Sequence, residues 1–337
     1  MTRRTGIILF SVLLCILVIC LLATYGSPKP SPNETTASST EESIESVVER
    51  YNKQVALYNE AVAAYNDSIQ LVADANVILD QEIAIAQTAL VSEDIPFDPQ
   101  TALDLEQAIQ TAYEAKIAVP EALPIRDVAV IPEDASSEEI GELRASVAAE
   151  LDALKSVEVP MPLTAPDYTS VIASLLEARN TYQHSVEIQK QVTAPDDNFV
   201  LERLKQIDTV VSLGTVTQSN DPNGLLGKEG GYIGCIYFSD SRVDKTKLNL
   251  KPSQYDVISM GTVGGGAIEI YATIEEAEAR NSYLATYDGT DLDPGSHVVV
   301  GTMVVRTSSM LTDEQQTELT NQIITIMTAL EASENLH

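Results

Sequence analysis

The sequence predicts an α+β protein built from three consecutive parts: an N-terminal transmembrane helix, an elongated helical bundle or coiled coil, and a small C-terminal α+β sandwich. Three observations carry this prediction. An apolar run interrupted by one serine lies near the N-terminus, a strict heptad repeat comes after it, and 13 of the 16 glycines lie beyond residue 197. The length of 337 residues fits about two domains.

The amino-acid composition argues against some classes of binding partner. Acidic residues number 50 and basic residues 20, so the formal charge is −30. Phosphate recognition needs clustered Lys and Arg, so the balance argues against a nucleic-acid partner. Aromatic residues make up only 5% of the chain and Trp is absent, which favours packing by aliphatic side chains along helices.

Residues 6–24 are predicted to be a membrane anchor. The apolar run from Gly6 to Ala23 is 18 residues long, the lower end of what spans about 30 Å of hydrocarbon. Arg3 and Arg4 precede it, so residues 1–5 are predicted to be a cytoplasmic stub and the rest of the chain to be extracytoplasmic. The apolar side chains of the anchor are Ile7, Leu9, Phe10, Leu13, Leu14, Ile16, Leu17, Val18, Leu21 and Leu22.

Two other interpretations of this N-terminus stay open. A cleaved signal peptide would have an unusually long apolar region, with Thr24-Tyr25-Gly26 as a weak cleavage site. Lipid attachment at Cys20 would place Ile19 where such sites resemble one another in having a small residue. Residues 25–42, rich in Ser, Thr, Pro and Glu, are predicted to be a disordered linker.

Residues 43–195 are predicted to form a helical coiled-coil bundle. A 4-3 alternation of apolar and aromatic residues opens this region, and three Tyr-Asn dipeptides share its seven-residue spacing, at 51–52, 58–59 and 65–66. Such a repeat keeps one apolar seam facing a partner helix. The seam consists of Ile44, Val48, Tyr51, Val55, Tyr58, Val62, Tyr65, Ile69 and Val72.

The partner of that first helix has two candidates. Helical spacing recurs over 100–118, 136–156 and 167–192, and prolines mark short joins between these segments, which predicts an antiparallel bundle within one chain. A parallel homodimer through residues 44–90 is the alternative.

Residues 196–331 are predicted to be a separate α+β domain, followed by a tail at 332–337. The predicted order α-β-β-α-β-α implies a small sheet with helices on one face. Its elements are a helix at 197–209, strands at 231–238 and 267–272, a helix from Thr273 to about 287, a strand at 297–306 and a helix from Thr312 to about 330.

The C-terminal segments NFVLERLKQIDTV, NDPNGLLGKEGGYIGCIYF, GGGAIEIYATIEEAEARNSYLATYDG and GSHVVVGTMVVRTSSMLTDEQQ resemble a recurring C-terminal domain of membrane-anchored or lipid-anchored surface proteins of Gram-positive bacteria. The resemblance covers about 135 residues and implies an exported location. It carries over no catalytic residue and no assigned activity.

The sequence contains no strong catalytic or cofactor motif. Cys235 with His297 and Asp240 makes a conceivable thiol triad, but a cysteine inside an alternating strand is typical of a small buried apolar residue. Two loops rich in Asp and Asn, at 220–223 and 288–297, lack the spacing of an EF-hand and fit turns that bond their own backbone. We therefore expect no catalytic residue, metal or cofactor.

Ligand contacts are predicted in the C-terminal domain. The candidates are Gly264, Gly265 and Gly266, which permit close backbone approach, together with Tyr271, Asp288 and His297. Any exposed tyrosine among 232, 237, 255, 271, 283 and 287 is a further candidate. The expected function is display of this domain to an envelope protein, peptide or glycan, and the alternative is an envelope hydrolase with its site at Asp288 to His297.

Overall fold

The computed structural model describes residues 42–92, 94–248 and 250–330. The predicted stub, the anchor, all but the last residue of the predicted linker and the tail lie outside these residues. Within them, no helix is long and apolar enough to cross a membrane. The described chain divides into two compact units. Unit 1 consists of residues 42–57 and Arg126–Val157, and unit 2 consists of Tyr58–Ile125 and residues 158–330.

Four helices lie between residues 44 and 191, and extended chain separates the second, third and fourth of them. Helix α1 contributes to both units, α3 belongs to unit 1, and α2 and α4 belong to unit 2. Their bounds are α1 Ile44–Leu90, α2 Gln100–Ala115, α3 Ser137–Lys155 and α4 Thr169–Gln191. Helix α3 begins with a capping box, in which Ser136 and Glu139 satisfy each other's backbone N–H groups.

The heptad seam of α1 is buried along nearly its whole length. Eight of its nine predicted members are at most 9% exposed, whereas Ile69 is only partly buried and Ser68 takes the buried position beside it. In unit 2 the later turns of α1 pack against α2 and α4 around Leu79, Leu105 and Leu175. The chain therefore covers this seam with its own residues.

The proline-marked joins are extended segments that lie along α1, and the prediction of short joins between four bundled helices is wrong in this respect. In unit 1, Asn52 donates to Ala129 O at 2.9 Å and accepts from Ala129 N at 2.7 Å. In unit 2, Asn66 brackets Leu123 in the same way, with both distances 2.8 Å. Extended backbone has no internal hydrogen bonds, so the asparagine side chains supply partners that a helix or sheet would otherwise provide.

The adjacent tyrosines of the Tyr-Asn dipeptides bind the same segments. The Tyr51 hydroxyl bonds Asp127 O at 3.4 Å in unit 1, and the Tyr58 hydroxyl bonds Pro124 O at 3.3 Å in unit 2. Each ring is buried while its hydroxyl reaches a backbone carbonyl. The seven-residue repeat therefore places these tyrosines and asparagines on the face of α1 that packs against the extended segments.

The C-terminal part of unit 2 contains a five-stranded antiparallel sheet of order β1-β2-β3-β5-β4. The α+β class is confirmed. The strands are β1 Val210–Thr215, β2 Gly234–Asp240, β3 Gly265–Ile270, β4 His297–Val300 and β5 Met303–Thr307. The helices are α5 Asp197–Leu204, α6 Val257–Met260, α7 Ile274–Ala285 and α8 Asp313–Thr328.

Two strands differ from the prediction. Strand β1 was not predicted: it begins at Val210, directly after the predicted helix 197–209, and the helix in the structure already ends at Leu204. The predicted single strand 297–306 is a hairpin, because Val300 pairs with Met303 and leaves Gly301 and Thr302 as a two-residue turn. Gly301 has φ +59°, which suits the first position of a tight hairpin turn.

Helices cover both faces of the sheet, so the prediction of helices on one face is wrong. Adjacent residues of a strand point to opposite faces. Phe238 packs with residues of α5 and α8, whereas Tyr237 packs with Ala277 and Leu284 of α7. Most buried side chains on both faces of the five-stranded sheet are apolar because each face has its own helical cover.

Candidate functional site

The face of the sheet beneath α7 carries the polar groups of the candidate site. Strand register places Cys235 opposite Glu269 and Ala267 opposite Arg306. Glu269 and Arg306 therefore share one face with Tyr237 of β2. Helix α7 crosses the same face and brings in Arg280.

Glu269 is the centre of a buried ion cluster. Its side chain is fully buried, and Arg280 donates to it twice, from Nε at 2.7 Å and from a terminal nitrogen at 3.0 Å. Arg306 donates from Nη1 at 2.7 Å, and the Tyr271 hydroxyl donates at 3.0 Å. Four donors from three elements fix this carboxylate, so the two guanidinium groups are held in place as well.

The electrostatics keep the cluster in one protonation state. Burial alone raises the pKa of Glu269, but the hydrogen bonds and charges of Arg280 and Arg306 outweigh burial, and the pKa lies below its ordinary value. Burial raises the pKa of the Tyr237 hydroxyl well above its ordinary value, and so does burial of Tyr271. At neutral pH, Glu269 is therefore a carboxylate and both tyrosines are protonated.

A groove of about 700 Å³ lies over this cluster. Arg280 and Arg306 line it, although their side chains are only 16% and 10% exposed. The Arg306 Nε atom is buried and has no hydrogen-bond partner among the described residues. A buried donor without an acceptor costs about 1–3 kcal/mol, so this atom is an unfavourable feature of the cluster.

Tyrosine, small polar and apolar side chains form the walls of the groove, and the apolar ones include Ile258, Met260, Val263, Leu284 and Leu292. Tyr283 is 53% exposed, and the Arg280 guanidinium lies 5.5 Å from its ring centroid. The Tyr283 and Tyr287 rings meet edge to face, and their hydroxyls are 3.0 Å apart. On another wall, Asn223 donates to the Tyr237 hydroxyl at 3.1 Å. The remaining polar lining residues are Ser259, Thr262, Ser309, Asp291 and Asp293.

Of the three predicted glycines, Gly265 and Gly266 begin β3, and Gly264 ends the 3-10 turn that precedes this strand. A Cβ on Gly265 would stand 2.5 Å from Phe238 O, and one on Gly266 would stand 2.2 Å from Arg306 O. Gly264 is also buried and faces the Met260 side chain. These glycines allow close packing of β3 with its neighbours.

Of the other predicted ligand residues, Tyr271 is buried against Glu269, whereas Asp288 and His297 meet each other. His297 Nε2 lies 3.1 Å from Asp288 Oδ1, and Nδ1 lies 2.7 Å from Asn281 Oδ1. The His297 side chain is 8% exposed, so both ring nitrogens are engaged by protein groups. Neither Asp288 nor His297 lines the groove.

The conceivable thiol triad is not assembled. Cys235 is fully buried on β2, and burial raises the pKa of its thiol well above the ordinary value. Strands β3 and β5 separate it from His297 on β4, a distance of about 14 Å at 4.7–4.9 Å per strand. Asp240 lies five residues along β2, on the opposite face, and pairs with Arg242 at 2.9 Å.

The acidic loops bind their own backbone. Asp221 accepts from Leu226 N at 2.8 Å and from the Tyr232 hydroxyl, and Asp293 accepts from Gly295 N at 2.8 Å. In the part of the chain that the structure describes, no three His, Cys, Asp or Glu side chains form a group suited to a metal ion.

Sequence reasoning missed the charged centre of the site. Glu269, Arg280 and Arg306 were not singled out, whereas Tyr237, Tyr283 and Tyr287 were among the aromatic candidates. A signal existed, since Glu269 stands between two isoleucines in a strand, where a charge on an otherwise apolar face requires a partner. The partners lie 11 and 37 residues away, beyond the range of local pattern.

No protein family, curated protein or solved structure matches this chain.

Proposed function

We propose that this protein is a membrane-anchored, extracytoplasmic component of the cell envelope that displays a binding domain. Support for the location comes from the sequence: Arg3 and Arg4 precede an apolar run long enough to span a bilayer, and an acidic chain follows it. The resemblance of the C-terminal segments to surface proteins of Gram-positive bacteria agrees with that location. The binding role rests on the groove over Glu269.

The single observation that carries the binding role is the fixed pair Arg280 and Arg306 at the floor of the groove. Both guanidinium groups are locked on one buried carboxylate and still line an open cavity. Preorganised donors lose little conformational freedom when a ligand arrives, which favours recognition.

The same groups are poorly suited to acid–base chemistry. General acid–base catalysis works best with a pKa near the operating pH. Here Glu269 has a lowered pKa and the Tyr237 hydroxyl a raised one, so neither exchanges its proton near neutrality. Binding is therefore favoured over turnover at this site.

A hydrolase remains the alternative function, and one observation favours it. His297 and Asp288 form a hydrogen-bonded pair, as a general base and its orienting acid do. Against this, Asn281 occupies the second ring nitrogen, so a reacting group would have to displace it. This alternative predicts product formation that His297→Gln abolishes.

Location is tested by cysteine labelling of the full chain in intact cells. Cys15 and Cys20 are changed to Ser, and Ser219→Cys adds a thiol on an exposed loop. We expect a membrane-impermeant maleimide to label Ser219→Cys in intact cells, and to label Thr2→Cys only after lysis. The reverse pattern contradicts the proposed topology.

The binding role is tested by ligand-dependent thermal stabilisation of the full chain in detergent. A ligand that binds only the folded state raises the melting temperature. Neutral saccharides, acidic saccharides and short peptides are compared on the wild type and on Tyr283→Ala. Stabilisation of the wild type that Tyr283→Ala weakens supports the proposal. If no class of ligand stabilises the wild type, or if a ligand is hydrolysed, the proposal fails.

A further inference from the structure

We propose that the groove over Glu269 binds a saccharide that carries a single carboxylate, with the carboxylate at the arginine pair and the sugar ring against Tyr283. This inference deepens the proposed binding function and rests on it.

The floor of the groove calls for a carboxylate. The Arg280 donors Nε and Nη2 face Glu269, which leaves Nη1 for another acceptor. Arg306 gives Glu269 only Nη1, and its buried Nε has no partner among the described residues. With two guanidinium charges and one carboxylate, the cluster keeps one unit of positive charge. A ligand carboxylate matches this charge, and its two oxygens can accept from Nη1 of Arg280 and Nη2 of Arg306, the terminal nitrogens that do not bond Glu269.

The walls of the groove call for hydroxyl groups. Asn223, Ser259, Thr262 and Ser309 offer side chains that can both donate and accept, and Asp291 offers acceptors. Drug-like apolar ligands select mostly apolar cavities, unlike this one. A ligand with many hydroxyl groups can satisfy such a lining.

Tyr283 supplies a flat surface at the rim. Its ring is half exposed and stands beside the Arg280 guanidinium. Aromatic rings with a polar end bury an apolar body while the hydroxyl stays solvated. The apolar face of a sugar ring fits this surface while its carboxylate reaches Arg280.

The position of the groove disfavours an extended peptide. Peptides recognised through their backbone add a strand to an exposed sheet edge. Tyr237 and Arg306 belong to β2 and β5, which are paired on both sides, so the floor of the groove has no free strand edge. A ligand at this floor therefore binds through side chains such as those of Arg280 and Arg306 and gains no added strand.

The acidic rim limits how much charge the ligand carries. Asp291 and Asp293 line the groove, and the whole chain has a formal charge of −30. Repulsion from these charges opposes a polyanion, whereas one carboxylate can be neutralised by the arginine pair. A singly charged saccharide therefore fits the groove better than a polyanionic one.

Titration calorimetry on the full chain in detergent tests this inference with two matched probes. Cellobiouronic acid and cellobiose differ only by a carboxylate at C6. We expect the acid to bind about tenfold more tightly, since a charge-assisted bidentate contact is worth at least about 1.4 kcal/mol. We also expect Arg306→Lys to lower affinity for the acid by a larger factor than affinity for cellobiose.

A variant that binds more tightly provides a control, because misfolding can lower affinity but cannot raise it. Asp291→Asn removes a repulsive charge from the rim, and we expect it to tighten binding of cellobiouronic acid by about twofold to fivefold. Glu314→Gln removes the same charge from α8, on the opposite face of the sheet, and we expect no change. Equal effects of the two variants contradict the proposed location of the carboxylate.

Three outcomes overturn the inference. If cellobiose binds as tightly as cellobiouronic acid, the arginine pair does not receive a carboxylate. If only short peptides bind and Tyr283→Ala weakens them, the groove is a binding site of another class, so the proposed function stands while this inference fails. If no saccharide or peptide binds the wild type, both fail.

Discussion

Asn66 holds Leu123 by both of its backbone polar groups, donating from Nδ2 to the carbonyl and accepting from the amide N–H, each at 2.8 Å. The amide side chain thus replaces a β-ladder for a segment that has no neighbouring strand. Asn52 does the same for Ala129 in unit 1.

We expect Asn66→Ala to destabilise the fold by about 1–3 kcal/mol, because two hydrogen bonds of about 0.5–1.5 kcal/mol each are lost. Chemical denaturation of the full chain measures the change. Hydrogen exchange at the Leu123 amide should also become faster. Gln70→Ala is the matched control, because Gln70 makes only an exposed contact with Asp74 on the same helix. If both variants lose the same free energy of unfolding, the two hydrogen bonds between Asn66 and Leu123 contribute nothing to stability.

Glu269→Gln should destabilise the protein by about 3–5 kcal/mol, because it leaves Arg280 and Arg306 buried without a negative partner. Glu278→Gln, on the exposed side of the same helix as Arg280, should change stability by less than about 0.5 kcal/mol. Urea unfolding at pH 7 compares the two variants. A small loss for Glu269→Gln would mean that the arginines find other acceptors.

The stability contributed by Glu269 should depend on pH in one direction. Its folded-state pKa lies below the unfolded value of about 4.3, because the bonds and charges of Arg280 and Arg306 outweigh burial. The contribution is complete above about pH 5 and is lost as the pH falls through the folded pKa. The stability gap between wild type and Glu269→Gln should therefore be constant from pH 6 to 8 and narrow below pH 4. A stability difference between wild type and Glu269→Gln that increases below pH 4 would contradict this prediction.

Gly301→Ala should destabilise the protein more than Gly289→Ala, although both glycines have positive φ. A Cβ at Gly301 would stand 2.3 Å from Val192 O, whereas a Cβ at Gly289 meets nothing within 4 Å. We expect about 1 kcal/mol for Gly289→Ala from backbone strain alone, and at least about 3 kcal/mol for Gly301→Ala. Thermal unfolding of both variants gives the comparison. Equal decreases in melting temperature would mean that the backbone around Val192 moves to accommodate the added Cβ without a further loss of stability.

Cys235 should resist alkylation in the folded protein. Its side chain is fully buried, and burial raises the pKa of the thiol well above the ordinary value. With Cys15 and Cys20 changed to Ser, iodoacetamide should modify Cys235 only under unfolding conditions, whereas Ser219→Cys should react at the rate of a free thiol. Mass spectrometry reports both. Rapid modification of native Cys235 would revive the thiol-nucleophile hypothesis.

The elements that sequence predicts well here are those whose signal is local. The seam of α1 repeats every seven residues, and Thr312 with Gln315 caps α8 as helix-start signals predict. Strand β1 has no comparable signal, since its six residues include a serine and a glycine and its edge is paired only with β2. The hairpin at Gly301 was missed because apolar residues flank its two-residue turn without interruption.

The candidate site was harder to predict because long-range register creates it. Arg306 and Glu269 meet only because β5 pairs with β3, and Arg280 joins them only because α7 crosses that face. Local sequence patterns pointed to tyrosines and turn residues. They also suggested Gly264, Gly265 and Gly266 as ligand contacts, whereas these glycines are buried by close packing around the start of β3. The one local sign of the candidate site was Glu269, a charged residue within an otherwise apolar strand.

The asparagine brackets also bear on how such a chain diverges. They recognise peptide N–H and C=O groups, which every residue except proline carries, and Leu123 and Ala129 are themselves held without regard to side chain. The identity of the side chains at Leu123 and Ala129 is therefore not fixed by these bonds. Only the asparagines of the helix are, so the two extended segments accept many sequences at these positions while keeping the same path along α1.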